Sequence, residues 1–455
     1  MTINDTSNYG DYWLEVSNST VTNLLLTTPD FTIVARPTSH PDHNALVALY
    51  NSTNGQSWNN NSGWLNNDIP ISSWFGITET NNRVTEINLQ NNGMFGSIPS
   101  EISQLSMLTR FDVFGNFIDG SIPTEFGSLP NLTWLDFRNN RLTGSIPQEL
   151  TNLNNLFVMI VSNNNLSGTV PDFTNLTTNG ALDFLWIDNN QFVFADFENE
   201  FSTYTIDIGD GFIYNPQQFI DINRGIAGEI GETIILESTL DLASLGSNLN
   251  IDWFDGETFD LLGSGETFDI TINTANDYGS YIYFVTSSTL PGLGLQSQPI
   301  TIGPDPSTHP DYDALIAIYN ALDGPNWTDP WDITAPIESW DESFNVTFDP
   351  VTNRVTNLDL AARGLSGTIP PEIEDLTELT NLSFFINDIS GEIPVELWSL
   401  TNLVQAFLGA QESQLLTLTN GIPPEIANMQ QLEWLNLNGF NYRNRFNQNY
   451  SISQI

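Results

Sequence analysis

Hydrophobic positions recur along this chain with two periods. The short one is about 24 residues: Ile87, Leu89, Met94, Gly96, Ile98 and Pro99 are followed by Val113, Ile118, Gly120, Ile122 and Pro123. The frame returns at Leu135, Phe137, Leu142, Gly144, Ile146 and Pro147, and again at Met159, Val161, Leu166, Gly168, Val170 and Pro171. Alternation such as Leu135/Phe137 predicts a short strand with one face inward, and stacking many such strands buries a continuous core. Asn92, Asn116, Asn140 and Asn164 stand 24 apart, and Asn190 follows after 26. An inward column of Asn is predicted to bond turn backbone that would otherwise be buried unpaired. On that register Asn140→Ala should destabilise, and Asn139→Ala, one residue outward, should change little.

The long period is 269. His40-Pro41-Asp42 returns as His309-Pro310-Asp311, Trp58 as Trp327, and ALVALYN at 45–51 as ALIAIYN at 314–320. A second block of the short frame follows, with Leu358, Leu360, Leu365, Gly367, Ile369 and Pro370, then Leu382, Phe384, Ile389, Gly391, Ile393 and Pro394. There Arg363 takes the place of a ladder Asn, and the step from Pro394 to Pro423 is 29, so a loop is expected to bulge at 409–419 and the C-terminal end to be open. The offset implies that the chain begins inside one copy of a larger unit and stops inside another. Each block opens with a helical pattern, in which Asp42 precedes Ala45, Leu46, Leu49 and Tyr50 on one apolar face and Asn54-Gly55 stops it. Between the blocks, Ile234–Leu236, Ile251–Phe254 and Tyr281–Val285 read as strands, with turns at Asp255-Gly256 and Gly263–Gly265.

The L-x-x-N-x-L-x-G-x-I-P spacing resembles the plant-type leucine-rich repeat, in the style of bacterial extracellular repeat proteins. Trp74-x-Gly76-Ile77-Thr78 resembles the family's W-x-G-V-C cap motif with Thr78 in place of Cys, leaving Trp58, Trp64 and Trp74 to hold the cap by packing. Asp277-Tyr278-Gly279-x-Tyr281 resembles the D-x-G-x-Y corner of immunoglobulin-like domains, whose Tyr hydroxyl bonds back to the chain. Where that family carries Cys, this chain has Tyr283. The resemblances imply two α/β leucine-rich-repeat solenoids, the second truncated, separated by an all-β immunoglobulin-like sandwich. The expected division is 1–34, last strands of a truncated sandwich; 38–215, first solenoid with a helical cap; 216–303, sandwich; and 306–455, second solenoid with its cap.

Composition narrows the function. Fifty-five acidic residues against 10 basic ones, all Arg, give a net charge of -45. That excludes a nucleic-acid binder built on a basic patch and disfavours anionic lipid. No apolar run is long enough for membrane insertion in this fragment, and no Cys is present for disulfides, thiol catalysis or Cys-based zinc. Acidity without Lys fits an extracellular or cell-surface setting.

Chemical candidates each have a plainer reading. His40-x-Asp42-His43 offers metal ligands, but Asp before a helix is an ordinary N-terminal cap. Asp207-x-Gly209-Asp210-Gly211 offers calcium-type oxygens, and equally a turn between domains. No nucleophile with a base and an orienting partner is found, so no enzyme, cofactor or metal is expected. Sequons such as Asn131-Leu132-Thr133 are expected by chance in a chain this rich in Asn, Ser and Thr.

The outward strand positions form columns: Glu86, Arg110, Trp134, Val158, Phe184; Asn88, Asp112, Asp136, Ile160, Trp186; and Gln90, Phe114, Arg138, Ser162, Asp188. Large groups there have no part in the core. Arg110, Phe114, Trp134, Arg138, Phe184 and Trp186 are the candidate ligand-binding residues, with Arg110 held by Asp112 or Asp136 and Arg138 by Asp136 or Asp188. The leading function is protein or polysaccharide binding in adhesion. The alternatives are a spacer in a long surface protein, or a curved face covered by a neighbouring domain. An ice-binding face would need a flat Thr array, and the columns show none.

Overall fold

The apolar face spaced i, i+1, i+4, i+5 folds as helix α1, His43–Ser52, with Ala45, Leu46 and Leu49 fully buried. Tyr50 joins Trp58, Trp64 and Trp74 in a chain of ring contacts with centroids 4.9–5.9 Å apart. The cap is held by more than these rings. Asp42 makes no side-chain bond to the helix end, against expectation. Its fully buried carboxylate instead accepts Arg83 Nη2 at 2.7 Å and the Val84 N–H at 2.7 Å. The ion pair outcompetes helix capping because Arg83 brings several donors to one buried acid. The second block repeats the device: Asp311 accepts Arg354 Nε and the Val355 N–H, both at 2.7 Å.

The computed structural model describes residues 10–12, 15–17, 25–27, 31–33, 37–179, 181–340, 346–409, 416–417, 422–437 and 450–451. Two compact units are present, residues 1–220 with 240–251 and 284–296, and residues 221–239 with 252–283 and 297–455. Most of the expected bulge at 409–419 and of the C-terminal end lies outside the described residues; within them, Leu416 and Thr417 pair with Gly391 and Glu392, and Tyr450 and Ser451 with Leu435 and Trp434.

In the first unit, seven strands form one sheet: β1 Ile77–Thr80, β2 Arg83–Asn88, β3 Arg110–Asp112, β4 Trp134–Asp136, β5 Val158–Ile160, β6 Phe184–Trp186 and β7 Phe212–Ile213. β1 is antiparallel to β2, and the rest are parallel in sequence order. The inward frame residues, among them Ile87, Phe111, Leu135, Met159 and Leu185, are fully buried. Burying each contributes about 1.5–3 kcal/mol.

The Asn column does what its spacing requires. Asn116 Oδ1 accepts the N–H groups of Asn92 and Met94 at 2.9 and 3.0 Å, and its Nδ2 donates to Leu89 and Val113 carbonyls. Asn140, Asn164 and Asn190 repeat the pattern. Gln217 ends the ladder: its Oε1 accepts the Asn190 N–H, and its Nε2 donates to Ile187 and Tyr214 carbonyls. A second column, absent from the sequence reading, stands one residue earlier. Asn91, Gly115, Asn139, Asn163 and Asn189 have φ from +51° to +70°. Asn139 is therefore a backbone-determining position, because Ala adopts this left-handed region at a cost that Asn and Gly avoid.

Within the second unit, Thr233–Glu237 pairs antiparallel with Thr267–Thr271, and Arg224–Ala227 runs parallel to Ile300–Gly303. The expected strands form, and the Tyr281 hydroxyl donates to the Asp277 carbonyl at 2.8 Å. Tyr283 packs 5.0 Å from Trp253 and donates to Asp221 at 2.8 Å. Gly263 is in a strand rather than a turn, opposite Trp253, where a Cβ would stand 2.7 Å from the Phe268 ring. Near the N-terminus, Gly10 pairs with Ile33 and Glu15 with Thr27, the registers of Gly279 with Ile302 and Phe284 with Gln296 displaced by 269 residues.

The second unit also holds a six-stranded sheet in which 346–348 is antiparallel to 355–359, followed by parallel 381–383, 405–407 and 434–436 and an edge strand at 450–451. Asn387 is its ladder residue, accepting the N–H groups of Arg363 and Leu365 at 3.0 Å. Arg363 replaces the first rung, its Nη1 lying 3.2 Å from Asp329. No described helix is long and apolar enough to cross a membrane.

Candidate functional site

The parallel registers set Glu86, Arg110, Trp134, Val158 and Phe184 side by side, and next to them Asn88, Asp112, Asp136, Ile160, Trp186 and Ile213. The columns are those the alternation predicts, but they are not uniformly open. Asp112, Asp136, Val158 and Ile160 are all at most 4% exposed despite facing away from the core. The long side chains beside them cover them.

Two stacks result. The Arg110 guanidinium lies over the Trp134 ring, 4.1 Å from its centroid, and its Nη2 donates to Asp112 at 2.6 Å. Asp112 also accepts Gln90 Nε2 at 2.7 Å. The Arg138 guanidinium stands 4.6 Å from the Phe114 ring and 5.7 Å from that of Trp186. Its Nε is 3.2 Å from Asp136 Oδ2, near enough for charge attraction but off the line that a hydrogen bond needs. Burial pushes the Asp136 acid up to about 6; neighbouring Asp112 adds to the rise, while the Arg138 N–H and both guanidinium groups oppose it. Trp134 Nε1, Trp186 Nε1 and Arg110 Nε are buried atoms without a hydrogen-bond partner. Such groups cost stability in a fold unless something else compensates.

Phe114, Arg138, Ser162, Trp186, Asp188 and Ile213 border a cavity of about 400 Å³. Ser162 Oγ donates to Asp188 Oδ1, and Asn189 Nδ2 to Asp188 Oδ2 at 2.6 Å. Of the six candidates, Phe114, Arg138 and Trp186 come together here, and Arg110 with Trp134 forms the neighbouring stack. Phe184 does not join; it packs edge-on against Phe157, ring centroids 5.6 Å apart, and both are exposed. Ile213 is the bordering residue that column reading passed over. Asp188 and Ser162 stood in the third column, whereas β7 follows an irregular stretch without the 24-residue frame.

The other chemical candidates dissolve. His40 Nδ1 accepts the Asp42 N–H at 3.0 Å, its Nε2 lies 3.7 Å from Glu79, and His43 packs against Trp74. These side chains do not converge on a metal, because Asp42 is committed to Arg83. Asp207 accepts the hydroxyls of Thr177 and Thr178 at 3.2 and 3.1 Å. Its turn at 209–211 leads back into β7 rather than joining domains. Among the described residues, no group of three or more His, Asp or Glu is placed to hold a metal ion.

The Leucine Rich Repeat family model matches residues 131–153, the segment that contains β4 and the Asn140 rung. The chain carries a leucine-rich repeat. That repeat contributes Trp134, Asp136 and Arg138 to the site. Among solved structures, the chain is similar to the BIR2 ectodomain from Arabidopsis thaliana, at 30% identity over 33% of this chain and 81% of that one, with a TM-score of 0.31. It is also similar to the BIR3–SERK2 complex from Arabidopsis thaliana, at 27% identity over 38% and 93%, TM-score 0.30. A third is the leucine-rich-repeat ectodomain of the receptor kinase SOBIR1 from Arabidopsis thaliana, at 25% identity over 34% and 81%, TM-score 0.29. No curated protein matches the chain.

Proposed function

We propose that this chain is a non-catalytic recognition module, extracellular or on the cell surface, that binds a protein or glycan through the leucine-rich-repeat face of β2–β7. The observation that carries the reading is the pair of guanidinium–ring stacks, Arg110 on Trp134 and Arg138 between Phe114 and Trp186, beside a cavity of about 400 Å³. Aromatic and Arg side chains concentrate binding energy because they bury large area and combine stacking with directed hydrogen bonds. Asp112 and Asp136 hold the guanidinium groups flat against the rings, so the face is organised before a ligand arrives.

The wider organisation in this reading is two solenoids, 38–215 and 306–455, separated by an immunoglobulin-like sandwich at 216–303, with 1–34 as the end of an earlier sandwich. It is supported by the strand registers that repeat after 269 residues and by the Tyr281 bond to Asp277. The rival is a spacer without a ligand. Probing protein and glycan arrays with the full chain separates the two. Trp134→Ala/Trp186→Ala should abolish capture at an unchanged melting temperature; capture equal to the parent's, or no capture by the parent, replaces this reading with the spacer.

A further inference from the structure

The cavity beside the first-face stacks has an anion and a cation on its border, Asp188 and Arg138, with Phe114, Trp186 and Ile213 as its apolar wall. Resting on the recognition role proposed for this face, we infer that the cavity takes a single neutral sugar ring, held through two adjacent hydroxyl groups.

Two polar groups with valence to spare carry it. Asp188 Oδ1 accepts the hydroxyl of the buried Ser162, and Oδ2 accepts Asn189 Nδ2 at 2.6 Å. These bonds fix the carboxylate in one orientation. Each carboxylate oxygen has two lone-pair sites, so each keeps an acceptor position, and the two stand side by side. Hydroxyls on neighbouring carbons match that arrangement, one O–H donating to each oxygen. Arg138 supplies the complement. Its Nε is buried and faces Asp136 at 3.2 Å, whereas its two Nη groups are open and have no acceptor among the described residues. Hydroxyl oxygens can accept from them.

Charged and apolar ligands are each opposed. The place that a ligand cation would take between the Phe114 and Trp186 rings is filled by the chain's own guanidinium, 4.6 and 5.7 Å from their centroids. An anion drawn to Arg138 meets Asp188 on the same border and Asp136 against the guanidinium. An apolar side chain would cover Asp188 and the Nη groups without pairing them, which costs free energy. A sugar ring offers hydroxyls that both donate and accept, and its C–H face packs on Trp186 and Ile213. At about 400 Å³ the cavity is in the size range of small-ligand pockets.

Saturation-transfer NMR on the full chain tests this with methyl glucoside, methyl mannoside and methyl galactoside. Glucosamine and glucuronate serve as the cationic and anionic forms of one ring, and a neutral glutamine peptide, acetylated and amidated, as the protein-like comparison. At least one neutral glycoside should bind, with the charged rings and the peptide weaker by about tenfold or more. Monodeoxy forms of that glycoside should lose about tenfold at two adjacent carbons and little elsewhere, the scale of a lost hydrogen bond to a charged group. Asp188→Asn should weaken binding by a similar factor at an unchanged melting temperature; where it melts lower, the deoxy series decides. Phe95→Ala, at an exposed position outside the sheet, should leave binding intact. No binding by any neutral glycoside, preference for a charged ring or for the peptide, no adjacent pair of hydroxyls that matters, or a stable Asp188→Asn chain that binds like the parent would overturn the inference. Any of these, alongside array capture that Trp134→Ala/Trp186→Ala abolishes, leaves the recognition reading standing; absence of all capture removes both.

Discussion

The two repeat blocks share a frame and differ in face. Asn116 and Asn387 each accept two N–H groups at 2.9–3.0 Å, and the Asp42–Arg83 pair recurs as Asp311–Arg354. At matching strand positions, however, Arg110 becomes Asn381, Trp134 becomes Gln405 and Asp136 becomes Phe407. Frame residues point inward and face residues outward along the same short strands, so selection can rewrite one set without disturbing the other. The lesson is that the period reports the scaffold, while the chemistry must be read column by column.

The sharpest test of the shared frame is the buried acid. Asp42→Ala and Asp311→Ala should each destabilise by about 3 kcal/mol, since each leaves a buried backbone N–H without its acceptor and takes the carboxylate from a partly exposed Arg. Urea unfolding followed in both units would measure it, and a large loss at one site with none at the other would break the comparison.

Asp136 belongs to the first face alone. Its acid is raised in the fold to about 6 from 3.8, so the folded state holds a proton that the unfolded chain releases between these values. Stability is therefore undiminished below about pH 4 and falls as pH rises through about 6, by about 2–3 kcal/mol for a shift of this size. Asp136→Asn should gain that amount at pH 7 and nothing at pH 4. Equal gains at the two pH values would show that burial is not what limits this acid.

Asn140→Ala should cost about 2 kcal/mol by leaving buried backbone groups unpaired. The smallest effects sharpen the comparison most. Asn139 has φ +55°, and in the same column of the second block Ile386, at the place of Gly115, has φ +59°, a β-branched residue where the first block uses Asn or Gly. Asn139→Ala should lose about 1 kcal/mol and Ile386→Asn should gain about as much. Thermal melts of the pair with opposite signs would establish the left-handed column as common to both blocks. The earlier expectation that Asn139 is neutral fails for this reason.

Periodicity alone was enough for the strands, the ladder from Asn92 to Asn190, the buried face of α1 and the outward columns, because each depends on backbone geometry within a few residues. Sequence reading also found the acids that hold Arg110 and Arg138, since Asp112 and Asp136 stand two residues from them in the same repeats. What tertiary structure decided involves partners that spacing does not encode. Asp42 meets Arg83, 41 residues away, instead of capping its own helix. Gln217 ends the ladder outside the repeating frame. Arg110 settles over Trp134, and Val158 and Ile160 are shielded although they face outward. Side-chain length and competition for a few buried donors set these outcomes, and both act only once the strands are stacked.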